Sequence, residues 1–359
     1  MRKPRLFDAV ALGGTAVTRA RFSVRMLNGP WELPPRSLLL VTHRSDWDIP
    51  LTTNVYWSGG FWARDPRLVF VARDDMFLPG FLAGYPRGMP PPLRRALARV
   101  DVGRTLRRHA LALPIASASR AQLAHLAREQ PSLPLDTLPE PAEAARARAR
   151  RLGRPEPRTL GDLLDAAYLD LLWPVWRSRA QLPATDEFWG RRRALARRDF
   201  EGLLEHVASG GTLAIYPEGH PSPDGAIGPL ERGLGVLVRR ARPDALIPVG
   251  LAYDPLTRGR TRAYVAVGDP VAPAPKETEA TVLAALRRMM PLTPGQVAAH
   301  AVLHGLEPRR VAEEALQEER PREPRLLELL DEALAAAGSA PRRILERLDL
   351  EFRSARGAV

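Results

Sequence analysis

A histidine and an aspartate stand five positions apart in Val41-Thr42-His43-Arg44-Ser45-Asp46-Trp47-Asp48, directly after the apolar run Leu38 to Val41. That run reads as a short buried strand, so the imidazole emerges where the strand ends, which is where ligands usually bind in α/β proteins. A carboxylate within reach of a histidine fixes its tautomer and stabilises the imidazolium, leaving the other ring nitrogen to take a proton from a hydroxyl. His43 and Asp48 are therefore a candidate catalytic dyad, with Asp46 as the rival carboxylate. A metal reading of His43, Asp46 and Asp48 has no second histidine at ligand spacing, and no metal is expected there. The chain has no Gly-x-Ser-x-Gly elbow for a nucleophilic triad.

Two further blocks follow apolar strands or lie within them. Pro217-Glu218-Gly219 comes after Thr212 to Tyr216, and Pro248-Val249 sits in the run Leu246 to Tyr253. In this order the three blocks resemble the glycerolipid acyltransferase family, which includes 1-acylglycerol-3-phosphate acyltransferase and carries His-x-x-x-x-Asp, Pro-Glu-Gly and Pro-Val motifs. The resemblance implies transfer of a fatty acyl group from a thioester, acyl-CoA or acyl-acyl carrier protein, to a hydroxyl of a lipid or glycerol-phosphate-like acceptor. His43 would be the general base and Asp48 its orienting group, with no metal or redox cofactor required.

By the same resemblance Arg73, with Pro79 and Gly80 beyond it, matches a basic position at the exit of a strand. An arginine that holds the acceptor phosphate falls to Arg120, with Arg104 as the competing choice. Glu218 would supply charge and hydrogen bonds at the pocket mouth, and Gly219 would let backbone approach a ligand closely. Family members continue with threonine, arginine and serine, whereas this chain has His220, Pro221 and Ser222. That departure bears on a glycerol-phosphate acceptor, for which His220 is a partial substitute.

The 359 residues, 45% of them apolar, can fill a core. The absence of cysteine excludes disulfides, thiolate metal sites and a cysteine nucleophile, and a cytoplasmic setting fits best. The 53 Lys plus Arg against 41 Asp plus Glu leave a net charge of +12, nearly all of it carried by arginine. A basic surface suits nucleic acid, anionic lipid or phosphorylated substrates. Without aromatic-basic RNA-recognition motifs, no nucleic-acid partner is expected, and an anionic membrane surface is. A lipid-binding relative without catalysis is the alternative function, and a basic nucleic-acid-binding protein explains the charge but not the three blocks. No stretch approaches the roughly 20 apolar residues needed to span a bilayer, so a peripheral place on the inner membrane face is expected.

The elements that must position these residues alternate strand and helix over 35–275, predicting an α/β fold with a central mixed sheet covered by helices. Residues 1–34 read as an amphipathic segment with Phe7, Val10, Val17 and Val24 near one side, an interfacial anchor or a helix packed on the core. The core, 35–275, carries a large helical insertion at about 121–190. Within it Leu163, Leu164, Tyr168, Leu171, Leu172 and Trp176 recur at helical spacing, as core or, through Trp173 and Trp176, as an acyl-chain groove or a lipid contact. The stretch Gly84 to Pro92 reads as a loop or lid. Residues 276–359 form a helical C-terminal extension without its own chemistry, in which Ala335 to Pro341 is a flexible connection.

Overall fold

The computed structural model describes residues 5–28, 33–58, 68–84, 90–108, 111–173, 176–222 and 224–357. Most of the expected lid, residues 85–89, lies outside them. The chain forms two units, Met1–Val69 with Leu204–Val359, and Phe70–Leu203. The fold is α/β, with a mixed sheet flanked by helices.

In the first unit, β2 (Ser37–Val41) is buried at every position. Its neighbours β7 (Thr212–Ile215) and β8 (Ala245–Asp254) both run parallel to it. A strand enclosed in this way has no solvated face, which is why its sequence is a continuous apolar run rather than an alternation. β9 (Arg262–Val267) is antiparallel to β8, and β1 (Ser23–Met26) is parallel to β9, giving the order β1-β9-β8-β2-β7. Pro248 is tolerated inside β8 because the β8–β9 register starts at Val249↔Val267, so its missing N–H falls outside that ladder.

The helix Thr278–Met289 packs on β8 so closely that a β-carbon on Gly250 would fall inside van der Waals contact of the Met289 carbonyl oxygen. The obstacle is backbone, which cannot rotate away. Gly250→Ala should therefore cost about 1–3 kcal/mol of stability, the usual penalty of overpacking, seen as a lower urea midpoint.

The N-terminal helix, Arg5–Arg21, packs on the helix Asp48–Ser58 through hydroxyls: Thr15 Oγ1 is 3.1 Å from Thr53 Oγ1, and Asn54 Nδ2 donates to Thr18 Oγ1 at 2.9 Å. Val10 and Val17 are 49% and 52% exposed, and Val24 belongs to β1. The inward face of this helix is small and polar, carrying Ala11, Thr15 and Thr18, and Val10 and Val17 lie away from it.

The C-terminal helices build a second core of the first unit. Pro294–His304 packs against Leu326–Ala337 and Arg342–Ala355 around Val297, Ala301, Leu330, Leu348 and Phe352. Ala335 to Ala337 complete the Leu326–Ala337 helix, and where a flexible connection was expected Gly338, Ser339 and Ala340 donate their N–H groups back to the carbonyls of Leu334, Ala336 and Ala337.

The second unit contains β3 (Leu68–Arg73) from Phe70 onward, parallel to β4 (Ala112–Ile115), and the short antiparallel pair β5 (Arg120–Ala121) and β6 (Arg177–Ser178). Its core gathers Leu126, Ala145, Leu160, Leu163, Leu172, Trp173, Phe188 and Trp189. Leu160–Leu164 and Leu169–Leu171 are separate 3-10 turns, not one helix. Trp173 is 1% exposed and lies over the backbone of Gly84, which places it in the core rather than against lipid. Beside this core Asp74 holds the buried Arg192 and His125, the latter at 3.0 Å. Burial opposes ionisation of Asp74, but the hydrogen bond and charge of His125 and the charge of Arg192 outweigh it and hold the carboxyl below its usual range.

Candidate active site

The buried β2 delivers Thr42 and His43 to its C-terminal end, and the chain turns through Arg44 to Trp47 into the helix that starts at Asp48. His43 Nδ1 lies 2.9 Å from Asp48 Oδ2, with Asp48 fully buried and His43 9% exposed. The same oxygen accepts the backbone N–H groups of Arg44 and, at 2.8 Å, Ser45. Asp48 Oδ1 accepts the Tyr253 hydroxyl at 2.7 Å. With these donors around it, the carboxylate acts as an acceptor through both oxygens. Because Asp48 is the acceptor, the imidazole proton belongs on Nδ1 and the lone pair on Nε2. Nε2 is the atom that can take a substrate proton.

His43 is also held by its own backbone. Its N–H donates to Glu218 Oε1 at 2.8 Å, and its carbonyl accepts the Ser222 N–H at 2.8 Å. Glu218 is 1% exposed, and its other oxygen accepts Gly228 N–H at 2.9 Å. Both oxygens are engaged with main chain, so Glu218 acts on the dyad through the segment it ties down. The turn that makes this possible needs Gly219, which has φ +71° and whose N–H donates to the Tyr216 carbonyl at 3.0 Å.

Tyr216, at the end of β7, lays its ring against the imidazole with centroids 4.6 Å apart and has its hydroxyl 3.1 Å from Thr52 Oγ1. Burial, reinforced by the Asp48 charge, pushes the hydroxyls of Tyr216 and Tyr253 far above the ordinary tyrosine range. Tyr253 therefore stays protonated and keeps donating to Asp48. Tyr253→Phe leaves Asp48 Oδ1 without that donor, and should cost about 1.5–3 kcal/mol of stability, the scale of a hydrogen bond to a charged group. A denaturant midpoint equal to that of the wild type would show that the hydroxyl is dispensable.

Arg44 completes the mount. Its guanidinium, 2% exposed, donates to the carbonyls of Gly225 (2.6 Å) and Ala226 (2.7 Å), while its own carbonyl accepts Arg347 Nη2 at 2.9 Å. Arg347 and Ser354 lie on the helix Arg342–Ala355, and Ser354 Oγ accepts Ile227 N–H at 3.0 Å. Buried Glu351 of this helix meets Arg347 at 3.3 Å. Burial raises its pKa, against the charges of Arg44 and Arg347.

Of the residues singled out in the sequence, His43, Asp48, Glu218 and Pro217 are buried together in the first unit, as are Pro248 and Val249 in β8. Gly219 and His220 are exposed. Arg73, Arg104 and Arg120 belong to the second unit. Arg73 pairs with Asp75 at 3.1 Å and has its guanidinium 5.9 Å from the centre of the Trp176 ring, while Arg104 and Arg120 are exposed. Tyr253, Tyr216, Ser222 and Arg44 were not recognisable as parts of the site. Tyr216 and Ser222 flank the Pro-Glu-Gly block, and Tyr253 lies in the Pro-Val strand, but no spacing rule picks them out.

No family model matches the chain, and no curated protein does. Among solved structures, a crystal structure of the 1-acyl-sn-glycerophosphate (LPA) acyltransferase PlsC from Thermotoga maritima is similar, at 13% identity and a TM-score of 0.38. The similarity covers 87% of this chain and 80% of that one.

Proposed function

We propose that this chain is an O-acyltransferase that moves a fatty acyl group from a thioester, carried by coenzyme A or acyl carrier protein, to a hydroxyl of a lipid acceptor. The observation that carries the reading is the His43–Asp48 pair, buried, oriented through Nδ1 and presenting Nε2 at the end of β2. Nε2 takes the proton of the acceptor hydroxyl as its oxygen attacks the thioester carbonyl. A C–O bond forms, the C–S bond breaks, and the leaving thiolate takes the proton back from the imidazolium. Asp48 stabilises the imidazolium between these events. His220, exposed beside Gly219 in the unit that carries the dyad, is the candidate for meeting an anionic headgroup.

A membrane surface is the natural source of the acceptor. Val10 and Val17, exposed two turns apart on the N-terminal helix, and Trp47, 37% exposed four residues after His43, are side chains that favour an interface. No helix among the described residues is long and apolar enough to cross a membrane. The test is thioester consumption with a panel of acceptors, including lysophosphatidic acid and neutral hydroxylated lipids, in vesicles. Transfer to at least one acceptor is expected, and its headgroup identifies the substrate class. Lipid binding without transfer from either donor would replace this reading by a non-catalytic lipid-binding one.

A further inference from the structure

His300 and His304 stand one turn apart on the helix Pro294–His304, and Asp349 meets them from the helix Arg342–Ala355. Spacing of four residues puts both imidazoles on one face, and their ring centroids are 4.7 Å apart. His300 Nδ1 lies 2.6 Å and His304 Nε2 3.2 Å from the same oxygen, Asp349 Oδ1. One ligand atom from each of the three residues lies within 4.8 Å of the other two. The dyad uses none of these groups.

The helix that carries the histidines is set firmly. Thr293 and Gln296 form a capping box at its start, Pro294 occupies its first turn, and Gly305 closes it in the left-handed conformation at φ 62°. Asp349 is 5% exposed at its side chain and His304 is 44% exposed, so the cluster has a rigid floor and a side open to water. Asp349 Oδ2 is occupied by Arg353 Nε at 3.0 Å, which leaves Oδ1 as the oxygen shared by both rings.

We propose that His300 Nδ1, His304 Nε2 and Asp349 Oδ1 form a binding site for a borderline divalent transition metal of the zinc class. Two imidazoles and one carboxylate oxygen, with a water at the open position, are a donor set that zinc accepts in tetrahedral geometry. Magnesium and calcium require mostly oxygen ligands and do not fit it. On binding, each neutral imidazole carries its proton on the nitrogen that faces away from the ion. Arg353 acts from outside the ligand set. It holds the carboxylate to one oxygen, and its charge repels ions bound by electrostatics alone. An ion here would pin the Pro294–His304 helix to the helix whose Arg347 and Ser354 grip the segment around Arg44 and Ile227.

The test uses the full chain after chelator treatment and reads binding rather than acyl transfer, so it does not depend on the proposed activity. Calorimetric titration with zinc chloride should give one ion per chain, and saturating zinc should raise the thermal midpoint through preferential binding to the folded state. Magnesium chloride should do neither. His304→Ala, on the exposed side of the cluster, should weaken zinc binding at least about 100-fold, the upper end of what outer-shell partners of a metal command, and abolish the midpoint rise. Should that variant be poorly folded, His304→Gln can keep the hydrogen bond to Asp349, and it should show the same loss of zinc. Failure of the wild type to bind zinc, or equal zinc affinity in a folded His304 variant, overturns the site and leaves a hydrogen-bonded clasp between two helices.

Discussion

His43→Ala should lower acyl transfer at least about 100-fold, the usual scale for removing a general base, while leaving the fold in place. The structure explains why the two effects separate. His43 is held through its backbone, by Glu218 Oε1 and the Ser222 N–H, and both contacts survive truncation of the side chain. What disappears is the imidazole between Asp48 and the acceptor. The comparison is thioester consumption by wild type and variant at matched thermal midpoints. A folded variant with near-normal turnover would remove His43 from the mechanism and the acyl-transfer reading with it.

Replacing Asp48 by asparagine should produce a loss of similar or greater size, about 10²–10⁴ in kcat. With the amide oxygen turned towards His43, the side chain can still accept from Nδ1, Arg44 N–H and Ser45 N–H, and Tyr253 can reverse its hydroxyl to accept from the amide. Shape and tautomer are then preserved, and only the negative charge that stabilises the imidazolium is lost. With the amide turned the other way, its NH₂ faces three donors and Nδ1 must become an acceptor, which moves the proton onto Nε2 and disables the base. Either orientation penalises the proton transfer. Turnover of Asp48→Asn within a few-fold of wild type would show that this carboxylate is structural, and would reopen the case for Asp46.

The strands and the contact between His43 and Asp48 were legible in the sequence because each rests on local pattern. Leu38 to Val41 is apolar throughout because both neighbours of β2 are parallel strands, and His43 and Asp48 are joined across one loop. Tyr253 reaches Asp48 from 205 positions away, and Ser222 reaches His43 from the loop beyond β7, so nothing local records either contact. The stripe from Leu163 to Trp176 was read with the wrong coil. Apolar residues three apart face one way in a 3-10 turn as well as in an α-helix, and Asp165, at φ −60° and ψ 141°, ends the first turn after Leu164. In the N-terminal helix Thr15 and Thr18 meet Thr53 and Asn54 through polar atoms, contacts to which hydropathy is blind.

Three successive backbone N–H groups in the loop after β2, those of His43, Arg44 and Ser45, end on side-chain carboxylates, the first on Glu218 and the other two on Asp48. Loops with solvated backbone open and exchange their amide hydrogens readily, whereas buried acceptors hold them until the local structure lets go. Deuterium therefore enters this tripeptide at the rate at which Glu218 and Asp48 release it. The isotope uptake of residues 43–45 is a clock on the assembly of the site that needs neither donor nor acceptor.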